Sequence, residues 1–261
     1  MAWVLTNAGT SLGYEEAGGG DSTPIVFLHG VGSDKSAWRP QLKYFGRERR
    51  ALAFDYPGYG DSDVAPEGTT RDDYAAAILS AMRELGVERA HICGLSLGGV
   101  IAIALYHAAP ERCASLILAD TFAVHPEGQA IFDRSRAALE TMTLRQMAES
   151  RADVLFAQPV DPALRNEVID TMGRIDPAAY LIGAEAVWLA DQRKRAEAIR
   201  VPTLVLCGAE DNVAPPALAA ELARLVTDAR REVIEHAGHL SNLEQADAFN
   251  RLVQEFIRGL G

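Results

Sequence analysis

The sequence predicts an α/β fold, a mostly parallel central sheet with an inserted helical cap. Three observations predict it. Short apolar runs alternate with amphipathic stretches from about residue 24, that rhythm stops between about 122 and 200, and it resumes to the C-terminus. Alternation of this kind marks βαβ units around a parallel sheet, and a purely helical interruption inside it marks an insertion. The expected division is a core of residues 1–122 and 201–261 with a cap of residues 123–200.

Taken in order, the first twenty residues place Val4, Leu5, Leu12 and Tyr14 around Gly9 and Gly13, which predicts an antiparallel hairpin. The runs 24–28, 50–55, 90–94, 114–119, 201–208 and 231–235 are apolar on both alternating sets of positions, as strands covered on both faces must be. Between them, residues 71–85 set Tyr74, Ile78, Met82 and Leu85 at helical spacing, with Asp72 and Asp73 in the first turn and Gly86 as a stop. Inside the cap, Asp161-Pro162 and Asp176-Pro177 each put a capping carboxylate before a proline at the first helical position, so two helix starts are marked. Charged residues over 191–197 return the chain to the sheet. Ala246, Phe249, Leu252, Val253, Phe256 and Ile257 predict a closing amphipathic helix.

Composition narrows the function. With 48% hydrophobic and 23% charged residues over 261 positions, the chain can bury one sizeable core under a solvated surface. A formal charge of −11 leaves no basic footprint for nucleic acid or anionic lipid, which favours a small-molecule partner. The acidic surface itself reads as an aid to solubility. Cys93, Cys113 and Cys207 are odd in number and lack metal or redox spacing, so buried free thiols in a reducing cytoplasm are expected. Met1 to Asn7 show no basic segment leading into an apolar one, and no run approaches membrane-spanning length, which predicts a soluble cytoplasmic protein. The oligomeric state is not written in any motif.

Gly94-Leu95-Ser96-Leu97-Gly98 carries the chemistry. It follows the apolar run His91-Ile92-Cys93 and precedes a helix-prone stretch, giving strand, tight turn and helix. That turn presents a serine hydroxyl, and the flanking glycines let neighbouring backbone pass. A serine hydroxyl at neutral pH needs a base, and the base needs an orienting acid. The run 201–208 leads into Ala209-Glu210-Asp211-Asn212 and the last run into Glu235-His236-Ala237-Gly238-His239, so Asp211 and His239 fall at carboxyl ends of strands, where open α/β sheets place ligands. Asp211 is the expected acid, with Glu210 and Asp120 as rivals. His239 is the expected base, preferred to His236, which falls where the strand is still running. His91, His107 and His125 are read as structural.

An oxyanion needs two backbone N–H donors already in place. Leu97, directly after the serine, is one expected donor, and Val31 in His29-Gly30-Val31-Gly32 is the other, with Gly32 as its alternative. His29 reads as a packing residue beneath the site, and Asp55-Tyr56-Pro57-Gly58-Tyr59-Gly60-Asp61-Ser62 as a structural loop. Trp38, Met142, Met147, Phe156, Met172 and Trp188 offer apolar surface, of which about a third is expected to face substrate, Trp188 first.

Together, His29-Gly30-Val31-Gly32, Asp55 to Ser62, Gly94 to Gly99, and Asp211 with Gly238-His239 resemble the α/β-hydrolase superfamily over nearly the whole chain. Leu95-Ser96-Leu97-Gly98-Gly99, Leu118-Ala119-Asp120-Thr121 and His239-Leu240-Ser241-Asn242-Leu243-Glu244-Gln245 are similar to 3-oxoadipate enol-lactonases, cytoplasmic enzymes of aromatic catabolism. The resemblance implies a capped α/β-hydrolase fold and cleavage of a small carboxylic ester or lactone through an acyl-enzyme, with no metal or organic cofactor. Esterases, C–C bond hydrolases and cofactor-free perhydrolases share the pattern and stand as alternatives, as does a ligand-binding receptor on the same fold. Ser96 argues against the dehalogenases and epoxide hydrolases that use aspartate at the elbow, and against the dienelactone hydrolases that use cysteine.

Overall fold

The computed structural model describes residues 2–260. In chain order the elements are β1 (Ala2–Leu5), β2 (Ser11–Ala17), β3 (Ile25–Leu28), α1 (Arg39–Phe45), β4 (Ala51–Phe54), α2 (Arg71–Glu84), β5 (Ala90–Leu95), α3 (Leu97–Ala108), β6 (Cys113–Ala119), α4 (Gly128–Leu139), α5 (Leu144–Leu155), α6 (Pro162–Gly173), α7 (Pro177–Trp188), α8 (Arg193–Glu197), β7 (Thr203–Gly208), α9 (Pro216–Leu225), β8 (Arg230–Ile234), α10 (Ser241–Glu244) and α11 (Ala246–Arg258). The eight strands form one sheet in the order β1-β2-β4-β3-β5-β6-β7-β8. Pairings β1–β2 and β2–β4 are antiparallel and every other pairing is parallel.

Both faces of the sheet are covered, and the strands show it residue by residue. Val26, Leu28, Leu52 and Phe54 enter one apolar cluster with α2, α3 and helices of the 128–197 segment, while Ile25, Phe27, Ala51 and Ala53 enter another with α1 and α11. Alternate side chains of a strand point to opposite faces, so a strand apolar at every position must be sandwiched. On α11 the buried Phe249, Val253, Phe256 and Ile257 recur at helical spacing and close the second cluster. Each large apolar side chain fully buried in this way contributes about 1.5–3 kcal/mol. Trp38 belongs here: it is fully buried, stacked on Phe27 and packed near Phe249, so it supports the sheet from the side opposite the helical insertion.

The helix starts follow local chemistry. Thr70 and Asp73 form a capping box at α2, and Gly86, at φ +67°, ends that helical run. The Asp161 side chain accepts from the Ala163 N–H, and the Asp176 side chain from those of Ala178 and Ala179, each with proline at the first helical position. Between β6 and β7 the chain forms α4 to α8 and a single antiparallel bridge, Val124 with Asp191, at the neck of the insertion. No helix among the described residues is long and apolar enough to cross a membrane. All three cysteines are free and buried.

Candidate active site

The link between β5 and α3 is one residue, Ser96, at φ 56° and ψ −115°. A non-glycine residue in that region is strained, and such strain persists only where the surroundings hold it. Here they do. The Ser96 N–H donates to the Ala119 carbonyl at 3.0 Å, and the Thr121 hydroxyl donates to the Ser96 carbonyl at 2.8 Å, so the end of β6 braces the turn. A Cβ on Gly94 would run into the Gly98 carbonyl, and one on Gly98 into that of Leu28, so both glycines are required by close backbone approach.

Asp211 follows β7 and His239 follows β8. The His239 Nδ1 stands 2.8 Å from Asp211 Oδ2, and its Nε2 stands 3.0 Å from Ser96 Oγ. With the ring proton on Nδ1 and donated to Asp211, Nε2 is left to accept from the serine hydroxyl. Asp211 Oδ1 accepts the backbone N–H groups of Val213 at 2.7 Å and Ala214 at 2.8 Å, which fixes the carboxylate plane. All three side chains are buried. Burial pulls the His239 imidazolium downward, but the charge and hydrogen bond of Asp211 outweigh it and raise its pKa above 6.5. Burial acts upward on Asp211, and His239 with the two backbone donors brings it below the ordinary carboxylate value. A hydroxyl, an imidazole and a carboxylate in line in this way can move one proton off the hydroxyl without ever leaving the imidazolium unbalanced.

The rivals fall elsewhere. Glu210 is exposed. Asp120, at φ 47° just past β6, is fully buried, but its Oδ1 accepts from the Gly208 N–H at 2.8 Å and its Oδ2 pairs with the Ser241 hydroxyl at 2.5 Å. Burial and the nearby Asp211 charge push its pKa up. Asp120 thus ties the end of β7 to the start of α10, the two segments that carry Asp211 and His239. His236 requires a correction, because β8 ends at Ile234 and His236 lies beyond it at φ 57°, exposed, so exposure rather than strand position separates it from the site.

Among the described residues, the Val31 and Leu97 N–H groups have no protein acceptor, and Leu97 is the first residue of α3, where an N–H has no intrahelical partner. His29 lies beneath, with Nδ1 on the Gly30 carbonyl at 2.8 Å and its ring against Tyr56 and Tyr59. Asp55 accepts from the Lys35 N–H and Nζ and from the Asp61 N–H, so the 55–62 loop is held structurally.

Ser96 and His239 open onto a cavity of about 70 Å³ whose lining includes Val31, Leu155, Met172, Tyr180, Trp188 and Arg151. Trp188 stacks on Phe122, meets His125 edge-on, and also lines an outer groove with Met142 and Met147. Of the six apolar side chains expected to offer surface, Met172 and Trp188 line the inner cavity; Phe156 and Trp38 do not. Two contributors, Glu244 and Arg151, were not anticipated. The Glu244 carboxylate accepts from Gly238, Ala157 and Leu240 N–H groups and the His239 N–H donates to the Leu155 carbonyl, so the histidine loop is fastened to the end of α5. His125, read as structural, packs on Trp188. Arg151, whose guanidinium donates to the Tyr180 hydroxyl at 3.2 Å, also lines the cavity. Among the described residues, no group of three or more His, Cys, Asp and Glu side chains is arranged to hold a metal ion.

A family model described as "Alpha/beta hydrolase family" matches residues 25–252. The chain is 29% identical over 259 residues to 3-oxoadipate enol-lactonase 2 of Acinetobacter baylyi, covering 98% of this chain and 96% of that one. It is 31% identical over 268 residues to 2-hydroxy-6-oxo-6-phenylhexa-2,4-dienoate hydrolase of Comamonas testosteroni, covering 94% and 90%. The crystal structure of the enol-lactonase from Burkholderia xenovorans superposes with a TM-score of 0.92 at 29% identity, covering 98% of this chain and all of that one.

Proposed function

Because the chain belongs to the alpha/beta hydrolase family, we propose that it hydrolyses small carboxylic esters or lactones, with Ser96 as nucleophile, His239 as general base and acid, and Asp211 as the acid that orients His239. The observation that carries this reading is the unbroken line Asp211 Oδ2, His239 Nδ1, His239 Nε2, Ser96 Oγ at the edge of a cavity. Ser96 Oγ attacks the carbonyl carbon as His239 Nε2 takes its proton. The carbonyl oxygen gathers negative charge and is met by the Val31 and Leu97 N–H groups. His239 then returns the proton to the departing alkoxide or enolate, leaving Ser96 acylated, and the same steps run with water release the acid. Residues 123–200 act as the cap over a core of 1–122 and 201–261, with Trp188 against the substrate. Three buried free thiols suit a reducing, cytoplasmic setting.

The base must be neutral to act, so kcat/KM should fall as pH drops through the His239 pKa. Since Asp211 holds that value above 6.5, the acid limb should have its midpoint above that of an ordinary histidine. A rate that is flat from about pH 5 to about pH 9, with chemistry limiting, contradicts the role of His239.

C–C bond hydrolysis is the competing reaction, favoured by the relative of that activity at 31% identity. It requires a substrate to be ketonised at carbon before attack, with several polar groups around a dienolate, whereas ester cleavage needs only the triad and two N–H donors. Small esters or enol-lactones should therefore be turned over at least about tenfold more efficiently, by kcat/KM, than vinylogous diketones, a gap of about 1.4 kcal/mol. Assay of both with one preparation decides it, and a diketone preference moves the protein to the C–C hydrolases.

A further inference from the structure

We propose that Glu244 is a positioning residue for the reaction: its carboxylate brackets the His239 loop against the end of α5, so that the helical insertion, and not the sheet alone, sets where the general base stands. The inference rests on the reading of Ser96 and His239 above and adds a residue to it. His239 lies beyond β8, whose pairing with β7 stops at Ile234, so the sheet does not hold its backbone. Three consecutive amides hold it instead. The Gly238 and Leu240 N–H groups donate to Glu244 Oε1 at 2.9 and 3.3 Å, and the His239 N–H between them donates to the Leu155 carbonyl at 2.8 Å. Glu244 Oε2 accepts from the Ala157 N–H at 2.7 Å, so one carboxylate joins the loop to the residues at and after the end of α5. The approach is close, since a Cβ on Gly238 would stand 2.7 Å from both the Leu155 carbonyl oxygen and the Ala157 nitrogen.

Asp211, at 2.8 Å from Nδ1, orients the imidazole; the bracket fixes the backbone from which that ring extends to Ser96 Oγ at 3.0 Å. A small displacement there is costly, because proton transfer needs the base within hydrogen-bond reach of the hydroxyl. Glu244 does not line the cavity, so it acts on substrate only through His239. Its three backbone partners demand two acceptor oxygens. Glutamine cannot meet that demand: with its oxygen on Gly238 and Leu240, its NH2 faces the Ala157 N–H, and turned over it faces the two loop amides. Aspartate keeps both oxygens but is one methylene too short to span the loop and the helix end together.

The test is the rate of fluorophosphonate labelling at Ser96 as a function of pH. Glu244, like Asp211, Asp120 and Arg151, acts on the charge of His239, so loss of its charge alone moves the acid limb and leaves the plateau, where His239 is neutral, unchanged. Displacement of the base lowers the plateau itself. In Glu244→Gln the plateau should fall by about tenfold or more, and kcat for small esters should fall with it while KM changes by less than about twofold. Glu244→Asp should lie between the parent and Glu244→Gln. The Gly238 and Leu240 amides should exchange with solvent at least about tenfold faster in Glu244→Gln than in the parent. A parent-level plateau in Glu244→Gln, even with a lowered Tm, overturns the proposal, as does a loss carried by KM or unchanged amide exchange. If Glu244→Gln does not fold, Glu244→Asp decides by the same plateau, and a parent-level rate there overturns it. A parent protein unlabelled at Ser96 overturns the hydrolytic reading and the positioning role with it, whereas a labelled parent with an unaltered variant overturns the positioning role alone.

Discussion

Replacing Ser96 by alanine is expected to lower kcat for small esters by at least about four orders of magnitude, with little change in Tm. The hydroxyl supplies the bond-forming oxygen, and among the described residues no other hydroxyl stands on His239 Nε2. What remains is the catalysis that two N–H donors and binding supply alone. The structural cost is small because, among the described residues, Ser96 Oγ bonds His239 alone, and the turn is held by the backbone of residue 96 through Ala119 and Thr121. Alanine faces the same strain at φ 56° as serine does. Activity that persists in the alanine variant ends the acyl-enzyme account.

Asp211→Asn should cost on the order of a thousandfold or more in kcat. Asparagine can keep its carbonyl oxygen on the Val213 and Ala214 N–H groups, which then turns its NH2 toward His239 Nδ1. That NH2 is a donor, so it forces the imidazole proton onto Nε2, where it can no longer accept from Ser96. The imidazolium also loses its counter-charge. Asp120→Asn should cost less than about tenfold, because an amide can still accept from Gly208 and meet the Ser241 hydroxyl. If Asp120→Asn proves the more damaging change, the acid has been misassigned.

The difference between these two carboxylates shows where sequence reading stops. The serine turn is legible because Gly94, Ser96 and Gly98 answer a local steric demand, spelled out within five residues. The strands are legible because burial on both faces leaves a continuous apolar run. Asp120 and Asp211, however, end β6 and β7, which are neighbours in the sheet, and both carboxylates lie close to His239. Only the tertiary hydrogen bonds separate them, with Gly208 and Ser241 engaging one and His239 the other. His236 lies beyond the end of β8 at Ile234, and its exposure, which no local pattern signals, is what keeps it from the serine.

Glu244 was unread for a similar cause: its partners, three backbone N–H groups from two segments, leave no side-chain pattern in the sequence. Arg151 did leave one. On α5, Leu144, Met147, Ala148, Ala152 and Leu155 form the inward stripe, and Arg151 sits at the helical position one turn beyond Met147 and Ala148. A charge within an apolar stripe points either to a partner or to a ligand. Trp38 carried the opposite lesson, since a large aromatic near the site in sequence went to the far face of the sheet, where Phe27 and Phe249 receive it.

The central claim, that Ser96 is an activated nucleophile driven by His239, is tested most directly by treating the protein with a fluorophosphonate and locating the adduct by peptide mass spectrometry. The account predicts rapid, stoichiometric modification at Ser96, absent from Ser96→Ala and slowed by at least about a hundredfold in His239→Ala. No adduct on Ser96, or labelling at the same rate without His239, contradicts it.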